Sequence, residues 1–166
     1  MNKQELLHEI NKAKEHIANM EKVLKEYKHE RYKPKRNETY YFVSSCGEVE
    51  ETWRSSITFI PDKKRYNTYN CFKTKEQAEQ ESEKILVRRM LEDIAKRLNK
   101  GKEIDWGNTK QCKYFIGVQE EYAGILLDTE YEFKHQGVVY CLDTWFLDVA
   151  IQEIGEERLK KYFRGE

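Results

Sequence analysis

Between Arg54 and Lys75 the basic side chains Arg54, Lys63, Lys64, Arg65, Lys73 and Lys75 stand against Asp62 alone, with Tyr66 and Tyr69 interleaved. Cations beside phenol rings suit a phosphate-bearing ligand, because the cations neutralise phosphate oxygens while a ring stacks on a base. The same composition suits an acidic protein surface, and lysines also guard a solvated hairpin edge against pairing with other chains. Arg54, Lys63, Arg65, Tyr66 and Tyr69 are therefore the candidate ligand- or partner-binding residues. Lys28, Arg31, Lys33, Lys35 and Arg36 precede this stretch, whereas Glu120, Glu121, Asp128, Glu130 and Glu132 make the later part acidic. Asp128, Glu130 and Glu132 alternate along an expected strand, the pattern of one solvated sheet face rather than of a divalent-metal site.

Catalytic constellations are scarce. Three of the 4 histidines, His8, His16 and His29, fall on polar positions of an N-terminal helix, and His135 reads as a turn residue. No glycine-rich phosphate loop, HExxH or GxSxG string is present. Cys46, Cys71, Cys112 and Cys141 lie far apart, without the paired spacing that fixes half a zinc tetrahedron. Neither a metal nor a cofactor is expected, and the chain is read as a non-enzyme. Cys71 and Cys141 stand in apolar contexts and are expected to be buried thiols.

Charge bounds the partners further. Lys and Arg total 30 and Asp and Glu total 30, so the formal net charge is zero. Indiscriminate coating of nucleic acid and mimicry of DNA both need a strong net field, and both are excluded. At 36% charged the chain is polar, yet its 11 Tyr, 7 Phe and 3 Trp exceed what disordered chains carry, so a core is expected. The charged N-terminus does not resemble a signal peptide, and no apolar run approaches the ~18 residues of a membrane span. A cytoplasmic location with reduced thiols and no membrane partner is expected.

The elements that must position these residues follow from periodicity. Leu6, Ile10, Ala13, Ile17, Met20, Leu24 and Tyr27 alternate spacings of four and three, a heptad pattern. Residues 1–31 are therefore expected to form a coiled-coil arm that self-associates through Leu6, Ile10, Ile17, Met20, Leu24 and Tyr27, giving a homodimer; folding back on the body and docking on another protein are the alternatives. Pro34 ends it. Residues 36–166 are expected to form an α+β domain of two similar halves, 36–100 and 111–166. In the first, Thr39–Val43, Val49–Trp53, Ile57–Ile60 and Tyr69–Phe72 read as strands, with Pro61-Asp62 as a turn. Thr74 and Gln77 make a capping box for a helix from Lys75 to about Leu98. In the second, Tyr114–Val118, Tyr122–Leu127, Tyr131–Phe133 and Gly137–Cys141 read as strands before a helix capped by Asp143. Aligning the helix starts matches Asn70-Cys71-Phe72-Lys73-Thr74 to Val139-Tyr140-Cys141-Leu142-Asp143. The fold class is thus α+β: a coiled-coil-like helix, then a duplicated antiparallel sheet-plus-helix module.

Phe72-Lys73-Thr74-Lys75-Glu76-Gln77-Ala78-Glu79 and Ala150-Ile151-Gln152-Glu153-Ile154-Gly155-Glu156-Glu157-Arg158-Leu159-Lys160-Lys161-Tyr162 resemble strings found in small accessory proteins of phages and prophages of Gram-positive bacteria. The resemblance covers roughly residues 33–163 and implies a setting, the cytoplasm of a host cell, but no catalytic residues. Asp143-Thr144-Trp145-Phe146-Leu147 departs from the usual polar helix start, which marks Trp145 as a further candidate partner contact. The expected function is inhibition of a host protein or defence complex by occlusion, as anti-CRISPR proteins do. Two alternatives stand beside it: a sponge for a defence signalling nucleotide, and a small metal-dependent nuclease or phosphodiesterase.

Deleting residues 1–31 is expected to lower the mass measured by light scattering from dimer to monomer; an unchanged mass would refute self-association through the arm.

Overall fold

The computed structural model describes residues 12, 14, 17, 32–54, 60–119 and 124–165. The chain divides into two units, Met1–Lys33 and Pro34–Glu166. In the first, Lys12, Lys14 and Ile17 are helical and exposed; Leu6, Ile10, Met20, Leu24 and Tyr27 lie outside the described residues.

The second unit is α+β. Strands β1 (Thr39–Val43) and β2 (Val49–Trp53) form an antiparallel hairpin. Its turn closes with Ser44 N–H donating to the Glu48 carbonyl at 2.8 Å, and Gly47 supplies a φ of +92° that side-chain-bearing residues adopt only under strain. Helix α1 (Ile60–Asn67) follows, then the 25-residue α2 (Lys75–Asn99). Strands β3 (Lys113–Gln119), β4 (Gly124–Glu130) and β5 (Tyr140–Cys141) form a second sheet in the order β4-β3-β5. Helices α3 (Phe146–Ile154) and α4 (Glu156–Arg164) complete the chain.

Each half repeats one connectivity. A hairpin places its first strand in the centre, and a short later segment pairs with that strand's free side before a helix begins. In the first half the later segment is a single bridge, Tyr41 to Phe72, closed by Tyr41 N–H to Phe72 O at 3.0 Å and Phe72 N–H to Tyr41 O at 2.8 Å. In the second it is β5, pairing Tyr114 with Cys141 and Phe115 with Tyr140. Superposing Tyr41 on Tyr114 aligns Phe72 with Cys141, the same match that the helix starts make in the sequence. It also aligns Tyr40 with Lys113, both of them 0% exposed.

Several local elements differ from expectation. Ile60 to Asp62 opens a helix instead of ending a strand at a turn, because proline fits the first helical turn, where its missing N–H has no helical partner. Residues 69–72 form no strand: Tyr69 turns left-handed at φ +61° and only Phe72 pairs. Tyr131 to Phe133 is not a strand either. The Glu130 carboxylate accepts the N–H groups of Tyr131, Glu132 and Phe133 at 2.8, 3.0 and 3.2 Å, which curls the chain away from the sheet. Those donors hold the Glu130 carboxyl down at about 2, and because β4 ends at Glu130, Glu132 does not continue a strand row with Asp128 and Glu130. The fourth strand shortens to Tyr140–Cys141. Asp143 Oδ1 caps the turn at Trp145 N–H (3.0 Å) rather than the helix itself.

Helix α2 starts at the expected cap. Thr74 Oγ1 accepts from Gln77 N–H at 3.3 Å, and Gln77 Oε1 reaches back to Lys73 N–H at 3.2 Å, one residue beyond the usual box. Its N-terminal end packs on the first sheet through the fully buried Ala78 and a Ser82 hydroxyl bond to Gly47 O. Its C-terminal end carries Val87, Leu91, Ile94 and Ala95 into a core with Ile116, Cys141, Phe146, Ala150, Ile154 and Leu159. Asn99 Oδ1 accepts from Leu142 N–H at 2.7 Å. Cys141 is buried and Cys71 half-buried; Cys46 at the hairpin tip is exposed.

Gly155 joins α3 to α4 at φ 97° and ψ 137°. An added Cβ there meets nothing within 4 Å, so the constraint is conformational rather than steric. Gly155→Ala is expected to cost roughly 1–3 kcal/mol, read as a lowered thermal midpoint; an unchanged midpoint would show that the joint relaxes without strain.

Candidate functional site

Helix α1 has 8 residues, too few to be stable alone in water. What holds it is the face of β1 that carries Tyr40 and Phe42. Tyr40 Oη donates to Asp62 Oδ1 at 2.7 Å and accepts from Arg65 Nη1 at 3.2 Å. Arg65 also lies 3.8 Å from Asp62 Oδ1 and stacks with its guanidinium carbon 3.5 Å from the Phe42 ring centre. Asp62 is 7% exposed, and among the described residues its Oδ2 has no hydrogen-bond donor. At the far end of the helix the Asn70 side-chain amide pairs with both backbone groups of Val43, accepting at 2.8 Å and donating at 2.6 Å. The helix therefore runs alongside β1, fixed at Tyr40 near its start and at Val43 just past its end.

The sequence-derived candidates divide on this frame. Lys63, Arg65 and Tyr66 belong to α1 and Tyr69 follows it, whereas Arg54 continues β2, its backbone bonded to Asn37 and Glu38. The basic stretch is thus mostly helix, and of these candidates Arg54 alone stands on the hairpin that it suggested. Arg65 holds the helix down, and the Arg54 guanidinium donates to the Pro34 carbonyl. Lys63 and its neighbour Lys64 are exposed, Tyr66 is half-buried, and Tyr69 is 73% exposed. Trp145 is 64% exposed but stands before α3 in the other half, so it is not part of this group. One apolar side chain that the sequence reading passed over joins this surface: Ile60, at the start of α1, 66% exposed. Trp53, equally exposed at the end of β2, pairs with Thr39 and so belongs to the hairpin face opposite to Tyr40 and Phe42, away from α1.

In the second half, Lys113 takes the register place of Tyr40. Its Nζ donates to the carbonyls of Asn108 at 2.9 Å and Tyr131 at 2.8 Å, and lies 5.3 Å from the Trp106 ring centre. Trp106 meets Tyr140 edge-on at 4.9 Å, and Tyr140 Oη accepts from His135 N–H at 3.1 Å. His135 Nε2 is 3.3 Å from Glu130 Oε2. This lysine clasps two loops onto β3. Beyond it, Phe115, Ile116, Gly117, residues 136–139, Phe146, Tyr162 and Phe163 line an apolar groove of about 480 Å³.

No protein-family model, curated protein or solved structure matches the chain. No helix among the described residues is long and apolar enough to cross a membrane.

Burial first, and then the bond to Asp62, pushes the Tyr40 phenol up to about 12 from its ordinary 10.0. A raised acid group stabilises the fold fully below its unfolded pKa, and that contribution fades as pH rises from about 10 through about 12, where the unfolded chain releases the proton first. The loss is on the order of 2–3 kcal/mol. Tyr40→Phe is expected to flatten this alkaline limb while lowering stability near neutral pH by about 1–3 kcal/mol, because Asp62 loses its donor. Denaturant titrations from pH 8 to 12 check both; equal alkaline slopes in the two proteins would exclude Tyr40 as the titrating group.

Proposed function

We propose that the protein is a non-enzymatic binding protein that occludes a surface of a host protein or defence complex. It acts in the host cytoplasm, in the setting of phage accessory proteins, and as a homodimer joined by its N-terminal arm. The observation that supports this reading is the exposure of Ile60 and Tyr69, at 66% and 73%, at the two ends of a helix whose Lys63 and Lys64 also face solvent. Large aromatic and apolar anchors beside lysines fit a protein surface with apolar pockets and an acidic rim. The support beneath is rigid, since α1 is locked by Tyr40, Asp62, Arg65 and Asn70, so little ordering cost falls on binding.

The nucleotide-sponge alternative draws less from the same geometry. It needs Arg54 and Arg65 for phosphate, and both guanidinium groups already hold internal oxygens.

The test is a quantitative affinity purification from infected host cells, with the wild type and with an Ile60→Ala, Tyr69→Ala, Lys63→Glu variant. The substituted side chains are exposed, so each change is expected to alter stability by no more than about 0.5 kcal/mol. A host protein recovered in stoichiometric amount by the wild type and lost with the variant is the expected result. A cyclic nucleotide released intact on heating, with no stoichiometric protein, would instead establish the sponge.

A further inference from the structure

Helix α1 ends in a closed pattern of backbone bonds. Tyr69 N–H donates to the Tyr66 carbonyl at 3.1 Å, and Asn70 N–H donates to the Arg65 carbonyl at 2.8 Å. These two reaches, three and five residues back, make a Schellman closure, which needs a left-handed residue at the turn. Tyr69 fills that place, at φ +61°. Glycine is the usual occupant, because a Cβ in this conformation crowds the neighbouring carbonyl.

Comparable sites in the chain have local reasons for their residues. Gly165 closes α4 in the left-handed conformation, donating to the Lys161 and Tyr162 carbonyls. Asn37 is of a type that tolerates it. Lys100 puts a cation at the C-terminal end of α2, where the helix dipole favours one. A phenol has neither advantage, and with 73% of Tyr69 exposed, burial supplies little. The fold thus holds a large aromatic side chain on a strained backbone from which its own stability gains little. Strain of this kind concentrates at ligand- and partner-binding positions. The position is also preset. Asn70, next in the chain, is bonded to both backbone groups of Val43, and Phe72 bridges to Tyr41, so Tyr69 sits between two segments anchored on β1.

We propose that Tyr69 is the anchor of the α1 surface: its ring enters an apolar recess of the partner protein whose rim carries carboxylates. This deepens the occlusion reading above and rests on it. A phenol has flat apolar faces and one polar tip, which suits a recess with an acceptor at its end better than a flat apolar patch. The exposed cations Lys63 and Lys64 on the same helix make negative acceptors the complementary ones. A tyrosine set on a preordered backbone loses little freedom on binding, and residues of this type carry a large share of interface energy.

Two measurements on the full-length protein test this, one without the partner and one with it. In the free protein, Tyr69→Gly relieves the left-handed strain and Tyr69→Ala keeps it. The glycine variant is expected to unfold about 2–4 °C above the alanine variant. Equal midpoints would mean that the cap holds a side chain without strain, and would overturn the inference. The second measurement uses the host protein recovered by the wild type, now purified. Tyr69→Gly is expected to bind it about thirtyfold or more weakly despite the higher midpoint. Tyr69→Phe, which lacks only the hydroxyl, is expected to bind about tenfold more weakly. Wild-type affinity in Tyr69→Gly would refute the anchor while leaving the occlusion reading intact. Wild-type affinity in Tyr69→Phe would refute the acidic rim. A wild type that recovers no host protein would sink the occlusion reading and the anchor together.

Discussion

One helix has to serve two sheets. The β1–β2 hairpin is two-stranded and the second sheet three-stranded with a two-residue β5, and neither is large enough to stand alone. The 25 residues of α2, a rod of roughly 37 Å at helical rise, give each sheet a partner. Ala78 and Ser82 serve the first, and Val87, Leu91, Ile94 and Asn99 the second. The surfaces beside the two sheets inherit their rigidity from this sharing. Helix α1 is fixed because β1 is fixed, and the walls of the β3 groove are fixed because α3 and α4 pack into the same core as the end of α2.

Two surfaces of different kinds arise from one repeated connectivity. At the buried start of each central strand, one half carries a phenol that reaches Asp62 and Arg65, and the other an ammonium group that reaches two carbonyls and an indole. In each case a polar tip on a fully buried stem pins a neighbouring segment to the sheet. The segment pinned in the first half is a helix, which lifts Lys63 and Tyr69 into solvent. In the second half it is a pair of loops.

Much of this was legible in the residues. The Thr74–Gln77 cap, the long helix and the match of Phe72 with Cys141 all follow from short-range signals, where side chain and backbone meet within a few positions. What escaped was set by longer reach or by competition for the backbone. Pro61-Asp62 is as good a helix start as a turn, and the bond that decides it comes from Tyr40, 22 residues away. Tyr131 to Phe133 has strand-like side chains, but a single carboxylate captures its amides. The candidate site was legible as a composition, basic and tyrosine-bearing. Which of its cations face outward was not, because Arg65 and Arg54 are claimed by partners distant in sequence.

The position of α2 in the chain also orders events during synthesis. Its N-terminal half can dock on β1 and β2 as soon as it emerges, since both strands precede it. Its C-terminal face, with Val87, Leu91 and Ile94, meets Ile116 and Cys141 first and is not closed over until Phe146 through Leu159 have been made. At ribosomal rates of about 5–20 residues per second, that apolar stripe stands open for several seconds in every new chain. A nascent protein whose first half is already ordered thus carries a temporary sticky face, and a chaperone or a neighbouring nascent chain meets that face before the protein's own last two helices do.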